Sequence, residues 1–131
     1  MIQFVEEGVA FATPLFFSLY LTTHGVHSAA LVDSRDILVF DEDVGRHNAV
    51  DKIFGRCLIE DIPIHDRIVI TSGRISSEII QKVAKQGIPV IVSISAPTSL
   101  GVKAAENYGI TLIGSVRGTT INVFTNEWRV N

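Results

Sequence analysis

The chemically capable side chains of this chain are most concentrated in the segment DVGRHNAVDK, residues 43–52. Two acids, two bases, a histidine and an amide lie there within about three helical turns, directly after an apolar, strand-like run at residues 37–40. A helix that only covers a core does not need such side chains near its N-terminal end. The segment therefore indicates a binding site or an acid–base site at a strand-to-helix junction.

The composition restricts the classes of protein to which the chain can belong. Its 131 residues predict one domain, and 47% apolar against 19% charged residues predict a well-filled core. The formal charge of −3 provides no general attraction for nucleic acid or for an anionic membrane. Any site for an anion must therefore be built locally.

Cysteine usage and hydropathy favour a cytoplasmic location. The one cysteine, Cys57, can form neither an internal disulfide nor a cysteine-rich zinc site. The longest uncharged run, residues 8–23, contains Pro14 and is shorter than the roughly 20 residues of a membrane span. We interpret this run as a buried helix and expect no membrane segment.

Helix-period and strand-period patterns alternate along the chain. They predict a helix at 14–22, an antiparallel strand pair at 28–32 and 37–40, helices at 45–58, 77–86 and 99–108, strands at 67–71, 90–94 and 110–113, and an edge strand at 121–124. Several of the strands are continuously apolar, which is typical of strands buried on both faces. The sequence therefore predicts an α/β three-layer sandwich with a mixed, mostly parallel sheet.

Polar residues collect in the loops that follow the predicted strands. Loops after parallel strands open on one edge of the sheet, where ligands of α/β proteins bind. Four such loops are predicted, at residues 41–48, 71–77, 95–99 and 114–120. They contain Arg46, Arg74 and Arg117, and three of them lead into helix N-termini, a combination that favours phosphate. Asp43 and Asp51 favour a ligand that also carries donors, so a nucleotide fits both needs.

Structural explanations compete with each of these interpretations. Asp43 is typical of a helix N-cap, and His47 could pair with Asp51 one turn along the helix. Arg74 and Arg117 could be surface ion-pair partners that contribute less than about 1 kcal/mol. These alternatives remain open at the level of sequence.

The sequence gives no support for classical catalysis, either from the two remaining candidate residues or from two known catalytic signatures. His27 is more typical of a satisfied core histidine, and Cys57 lies on the apolar stripe of its helix, as a packing residue does. The zinc-deaminase signature, H-x-E or C-x-E followed by P-C-x-x-C, is absent from the sequence. A G-x-S-x-G nucleophile elbow is absent as well.

Several motifs in combination resemble the FdhD family of formate dehydrogenase accessory sulfurtransferases. The similar stretches are the Thr-Gly-His segment at 23–29, DVGRHNAVDK at 43–52, TSGRISSEIIQK at 71–82, SAPTSLGVKAAE at 95–106, and ITLIGSVRG with INVFT at 110–125. They span nearly the whole chain in the order found in the family. The combination is far more specific than any one motif.

The resemblance implies a fold like that of cytidine deaminases, without zinc. It implies that sulfur arrives from a cysteine desulfurase as a persulfide. The sulfur then passes to the molybdenum or tungsten bis(guanine dinucleotide) cofactor, bound as cargo, before that cofactor enters formate dehydrogenase. It also implies a homodimer, and a loop at residues 115–120 that contacts the cofactor.

Two departures from the family pattern qualify this implication. The persulfide-carrying C-x-x-C motif of the family lies upstream of the matched region and is absent here, so we expect this chain to correspond to the C-terminal, cofactor-binding part. No residue of this chain is then expected to be catalytic or to bind a metal. The second departure is His24, where the family commonly has glycine.

Most of the residues predicted to bind the cofactor lie in the four loops described above, and His27 and Asp51 lie outside them. The full set is His27, Asp43, Arg46, His47, Asn48, Asp51, Ser72, Gly73, Arg74, Ser76, Ser95, Thr98, Ser115, Val116, Arg117, Gly118, Thr119 and Thr120. Three other hypotheses remain: a nucleotide-binding module without sulfur transfer, an acid–base enzyme that uses His47 with Asp43 or Asp51, and a purely structural dimerisation domain.

Overall fold

Six strands form a single sheet in the computed structural model, which describes residues 26–33, 36–117 and 120–130. The strands are β1 (His27–Val32), β2 (Ile37–Asp43), β3 (Ile68–Thr71), β4 (Val90–Ser93), β5 (Thr111–Arg117) and β6 (Thr120–Thr125). Their order across the sheet is β2-β1-β3-β4-β5-β6. The helix predicted at residues 14–22 lies outside the described residues.

The sheet is mixed, as predicted. β3, β4 and β5 are parallel neighbours, whereas β1 is antiparallel to both β2 and β3, and β6 is antiparallel to β5. The strands β2, β3, β4 and β5 therefore point in one direction, although three of the five neighbouring pairs are antiparallel. The predicted hairpin of the first two strands is confirmed.

Three α-helices follow β2, β3 and β4. They are α1 (Arg46–Glu60), α2 (Ser77–Lys85) and α3 (Ser99–Tyr108), and a short 3₁₀ helix, Glu127–Arg129, follows β6. Hydroxyl side chains start α2 and α3, because Ser76 Oγ accepts from the Ile79 N–H and Thr98 Oγ1 accepts from the Gly101 N–H. These two helices begin at the residues that the sequence predicts, 77 and 99.

All three helices pack on one face of the sheet. The cluster on this face combines sheet residues such as Leu31, Val69 and Ile91 with Ile53 of α1 and Ile80 of α2. A second apolar cluster, with Ala30, Ile70 and Val92 among its members, lies on the opposite face and contains no residue of the described helices. Apolar residues on both faces explain the continuous apolar runs of these strands.

The segment predicted as a loop at residues 114–120 is mostly strand, and that prediction is wrong. β5 continues to Arg117 and pairs with β6 through Gly114↔Asn122 and Arg117↔Thr120. A register shift between these two pairs accommodates Ser115, whose φ of 51° is the left-handed conformation that non-glycine residues seldom adopt. A β-bulge of this kind has no clear signature in the sequence.

The outer edge of β2 is covered by two cations of α1. Lys52 Nζ donates to the carbonyl of Glu42 at 2.9 Å, and Arg56 Nη1 donates to the carbonyl of Phe40 at 3.0 Å. Among the described strands β2 lies at this side of the sheet, and an edge strand can pair with another chain. Lys52 and Arg56 therefore protect this edge.

Candidate functional site

The candidate site lies at the edge of the sheet where β2, β3 and β4 end. β1 runs the opposite way, so its first residue, His27, lies at the same edge and pairs with Asp43, the last residue of β2. His27 Nδ1 also lies 3.5 Å from Ser72 Oγ, in the loop after β3. The topology thus gathers His27, residues 43–48 and the loop after β3.

Asp43 organises the turn into α1 but does not cap the helix. Its carboxylate accepts from the Gly45 N–H at 2.9 Å, and Gly45 is the N-cap residue without any side-chain cap. Asn48 Nδ2 and Lys52 Nζ approach the same carboxylate at 3.4 Å and 2.9 Å. The Gly45 hydrogen bond and then the Lys52 hydrogen bond lower the pKa of Asp43 to about 2. The N-cap alternative is therefore wrong.

The backbone N–H donors in the first turn of α1 are not bonded by a capping side chain of the described residues. The first hydrogen bond of the helix runs from the Ala49 N–H to the Gly45 carbonyl. Among the described residues no side chain caps the helix, so within this part of the chain the N–H groups of Arg46, His47 and Asn48 have no side-chain acceptor. These groups and the helix dipole together favour an anion at this position.

Gly73, in the loop after β3, packs directly on the side chain of Arg46. A Cβ atom at residue 73 would lie 2.7 Å from Arg46 Cβ and 3.2 Å from Arg46 Cδ. Arg46 Nε is buried and has no hydrogen-bond partner among residues 26–33, 36–117 and 120–130. The neighbouring Arg74 is exposed and makes no hydrogen bond or ion pair within the described chain. Two arginines with unused donors therefore adjoin the start of α1.

Buried hydroxyl groups fix the backbone of the loop after β3. Ser93 Oγ donates to the Gly73 carbonyl at 2.7 Å, and Ser95 Oγ donates to the Ser72 carbonyl at 2.7 Å. The Ser72 hydroxyl in turn accepts from the Ser28 N–H at 2.9 Å. Because these hydroxyls bind backbone groups, they position the loop that carries Arg74. Ser93 is a site residue that the sequence reasoning missed, since its contact with Gly73 arises from parallel pairing of β3 and β4.

The acids that would repel an anion are paired with lysines. Asp43 pairs with Lys52, and Asp51 pairs with Lys82 of α2 at 2.8 Å. The alternative that Asp51 pairs with His47 is wrong. His47 is half-buried near Glu78 of α2, and the pKa of Glu78 is lowered mainly by its own N–H and by Ser76, with a smaller contribution from His47.

The structure places the remaining predicted site residues in three groups. Ser76 and Thr98 are helix caps. The Ser95 carbonyl accepts a hydrogen bond from the Ser115 N–H. Val116 is almost fully buried in the second core cluster. Thr120 begins β6, the backbone of Arg117 ends β5, and Gly118 and Thr119 lie outside the described residues.

The described residues contain no clustered metal ligands and no long apolar helix. Across residues 26–33, 36–117 and 120–130, no three His, Cys, Asp or Glu side chains converge as a metal site would require. Over the same residues the helices are too short or too polar to cross a bilayer. Cys57 is buried, and burial raises the pKa of its thiol.

The architecture is that of the deaminase-like α/β proteins. A deaminase/reductase of Thermotoga maritima superimposes with a TM-score of 0.57 at 14% identity, over 88% of this chain and 36% of that chain. At that identity the likeness concerns the fold alone. It confirms the predicted fold class.

Closer relatives identify the family. The FdhD/NarQ family profile matches residues 17–131, and the chain belongs to this family. It is 46% identical over 112 residues to the sulfur carrier protein FdhD of Bacillus pumilus, covering 86% of this chain and 43% of that protein. The corresponding protein of Sulfurisphaera tokodaii is 50% identical over 114 residues, with coverages of 86% and 45%.

A solved structure supports the same family. A protein of Desulfotalea psychrophila, described as a candidate formate dehydrogenase accessory protein, superimposes with a TM-score of 0.76 at 41% identity. The match covers 82% of this chain and 48% of that chain. The chain thus spans less than half the length of the relatives that it matches.

Proposed function

We propose that this chain binds the guanine dinucleotide part of a molybdenum or tungsten bis(guanine dinucleotide) cofactor and thereby supports the maturation of formate dehydrogenase. The observation that carries the proposal is the contact of Gly73 with Arg46 at the uncapped start of α1. This contact brings two arginines and free helix N–H groups to one place. The roles named for the relatives, sulfur carrier and formate dehydrogenase accessory protein, support it.

Phosphate groups fit the charge at this edge. The exposed Arg74 guanidinium has no partner among the described residues, so a phosphate can occupy its unused donors, and the charge of the adjoining Arg46 favours the same place. Asp43 and Asp51 do not oppose it, because Lys52 and Lys82 offset their charges. Hydrogen bonds to charged groups contribute about 1.5–3 kcal/mol each. In this proposal Arg46, Arg74 and the start of α1 hold phosphates.

Further polar side chains at the same edge suit ribose hydroxyls or a guanine edge. They are His27 of β1 and His47 and the exposed Asn48 of the first turn of α1. The sulfur of the cofactor would be delivered here from a cysteine desulfurase, and a second copy of the chain and formate dehydrogenase are the further partners in this proposal.

Cys57 is unsuited to carry the sulfur. It is only 3% exposed, and burial raises the pKa of its thiol, so little of the nucleophilic thiolate forms at neutral pH. We therefore propose that this chain supplies the cofactor-binding function rather than the persulfide. The same observation favours a second candidate, a nucleotide-binding module that takes no part in sulfur transfer.

Calorimetric titration with GDP tests the proposal. GDP is expected to bind, and Arg74→Ala is expected to weaken binding about tenfold, the result of losing one charged hydrogen bond. Arg67→Ala is the matched control, because Arg67 lies at the opposite edge and donates only to the Pro63 carbonyl. An absence of binding at millimolar GDP, or equal affinities for the wild-type chain and Arg74→Ala, contradicts the proposal.

Sulfur transfer separates the two candidates. The chain would be incubated with a cysteine desulfurase, cysteine, the cofactor and a separate protein segment that carries the C-x-x-C motif of the family, and the sulfur content of the cofactor would be measured by mass spectrometry with and without this chain. A sulfur gain on the cofactor that depends on this chain supports the maturation role. Binding of GDP without any such gain supports the simple nucleotide-binding module.

A further inference from the structure

A second candidate site lies at the opposite edge of the sheet, where β3, β4 and β5 begin. A cavity of about 330 Å³ opens there between the residues that precede β4 and β5. Its lining includes Ile88, Pro89, Tyr108, Ile110 and Arg129. None of these residues belongs to the site proposed for the cofactor.

Arg129 carries a charge that the described chain does not neutralise. Its Nη1 donates to the Gly109 carbonyl at 2.6 Å and to Thr111 Oγ1 at 3.1 Å, whereas its Nε is buried without a partner. No carboxylate of the described residues lies within ion-pair distance of it. Burial lowers the pKa of Arg129, and no acidic group offsets that effect. A partly buried charge without a counter-ion is unfavourable.

The rest of the cavity lining combines apolar and polar surface. Ile88 and Ile110, which are 2% and 3% exposed, line it together with Tyr108, which is 56% exposed. Asp66 also lines the cavity, so a multiply charged anion such as phosphate is disfavoured. An apolar body with a single negative charge suits these walls.

We propose that this cavity binds a small organic carboxylate with an aliphatic body. The carboxylate pairs with the free side of the Arg129 guanidinium, and the body packs against Ile88, Pro89 and Ile110. Arginine and carboxylate match in geometry, and small-molecule sites commonly combine an apolar wall with a few polar groups. The volume of about 330 Å³ is at the lower end for such sites, so the ligand is small.

Trp128 provides a direct readout. It is the only tryptophan of the chain, and the Arg129 guanidinium lies 4.1 Å from the centre of its ring. The full chain would be titrated with hexanoate and, separately, with hexanamide, the neutral compound of nearly the same shape. We expect a saturable change of Trp128 fluorescence with hexanoate, and binding at least about tenfold weaker for hexanamide.

Two variants test whether the fluorescence response to hexanoate depends on Arg129. Arg129→Gln is expected to abolish the response to hexanoate, whereas Arg67→Gln, at the same edge but outside the cavity lining, is expected to retain it. Because Arg129 also bonds Gly109 and Thr111, its replacement can weaken the fold, and the comparison of hexanoate with hexanamide tests the proposal without any variant. Equal responses to the two compounds, or no saturation with hexanoate well above the millimolar range, would overturn it.

Discussion

Gly73 lies in the loop after β3 and Arg46 begins α1, and the Gly73 backbone packs so closely on the Arg46 side chain that a Cβ would come within 2.7 Å of Arg46 Cβ. This contact joins the loop after β3 to the start of α1. It also fixes where the Arg46 guanidinium lies relative to the free N–H groups of the helix. Glycine at position 73 is therefore required by the site and not by backbone conformation.

Gly73→Ala is expected to displace Arg46 and to impair both stability and ligand binding. Overpacking of this kind destabilises proteins by about 1–3 kcal/mol, and we expect GDP affinity to fall about tenfold or more. Gly55→Ala is the matched control: its Cβ would meet nothing within 4 Å, and alanine in a helix interior adds roughly 0.5–1 kcal/mol. Urea unfolding and calorimetry measure the two effects. Equal behaviour of the two variants would refute the packing argument.

Stability is expected to depend on the ionisation of Asp43. Its pKa is lowered in the folded chain from 3.8 to about 2, so the ionised carboxylate stabilises the fold above pH 3.8, and this contribution is lost as the pH falls towards 2. The difference in the free energy of unfolding between the wild-type chain and Asp43→Asn should be constant above about pH 5 and should shrink below pH 4. Urea unfolding over this pH range measures it.

Lys52→Met provides the internal check on that pH dependence. It removes one of the two main causes of the low pKa and leaves the Gly45 hydrogen bond to Asp43 in place. The Asp43 carboxyl, followed by NMR, should then titrate at a higher pH than in the wild-type chain. A titration near the ordinary value of 3.8 already in the wild-type chain would show that the proposed turn geometry is wrong.

Removing the two cations that cover β2 should promote aggregation. Lys52→Gln combined with Arg56→Gln removes two cationic donors from the carbonyls of Glu42 and Phe40, and a less protected edge strand can pair with other chains. We expect thioflavin T fluorescence to rise earlier than in the wild-type chain. The control, Lys85→Gln with Lys103→Gln, removes the same charge from exposed lysines that make no described contacts. If both variants aggregate equally fast, the loss of positive charge alone explains the faster aggregation.

Cys57 should react slowly with thiol reagents in the folded chain. It is 3% exposed and its pKa is raised by burial, so both access and thiolate formation are reduced. We expect alkylation by iodoacetamide to be at least about tenfold slower than in urea. Rapid alkylation of the folded chain, followed by mass spectrometry, would reopen Cys57 as a sulfur carrier.

Local signals made the helices predictable. Ser76 and Thr98 are caps whose side chains bond the N–H three residues later, so α2 and α3 start where the sequence predicts. The start of α1 differs, because Asp43 bonds the Gly45 N–H before the helix and leaves the first turn uncapped. Asp43 lies two residues before the N-cap position, Gly45. Residue type alone does not distinguish an aspartate there from one that caps the helix.

Long-range contacts set the limits of the prediction. The sequence places Arg46, Gly73 and Arg74 at one edge of the sheet, but it does not reveal that Gly73 touches Arg46 or that Ser93 holds the Gly73 carbonyl. The bulge at Ser115 was missed for the same reason, since it depends on pairing with β6. These relationships arise from packing between segments that are distant in the chain.

The location of bound GDP is the most direct test of the cofactor site. Amide N–H signals of the isotope-labelled chain would be recorded by NMR during titration with GDP and, as the control, with guanosine. Saturable shifts at Arg46, His47, Gly73 and Arg74 that are much larger with GDP than with guanosine are the predicted result. Shifts confined to other surfaces, or none with either compound at millimolar concentration, would contradict a phosphate site at the start of α1.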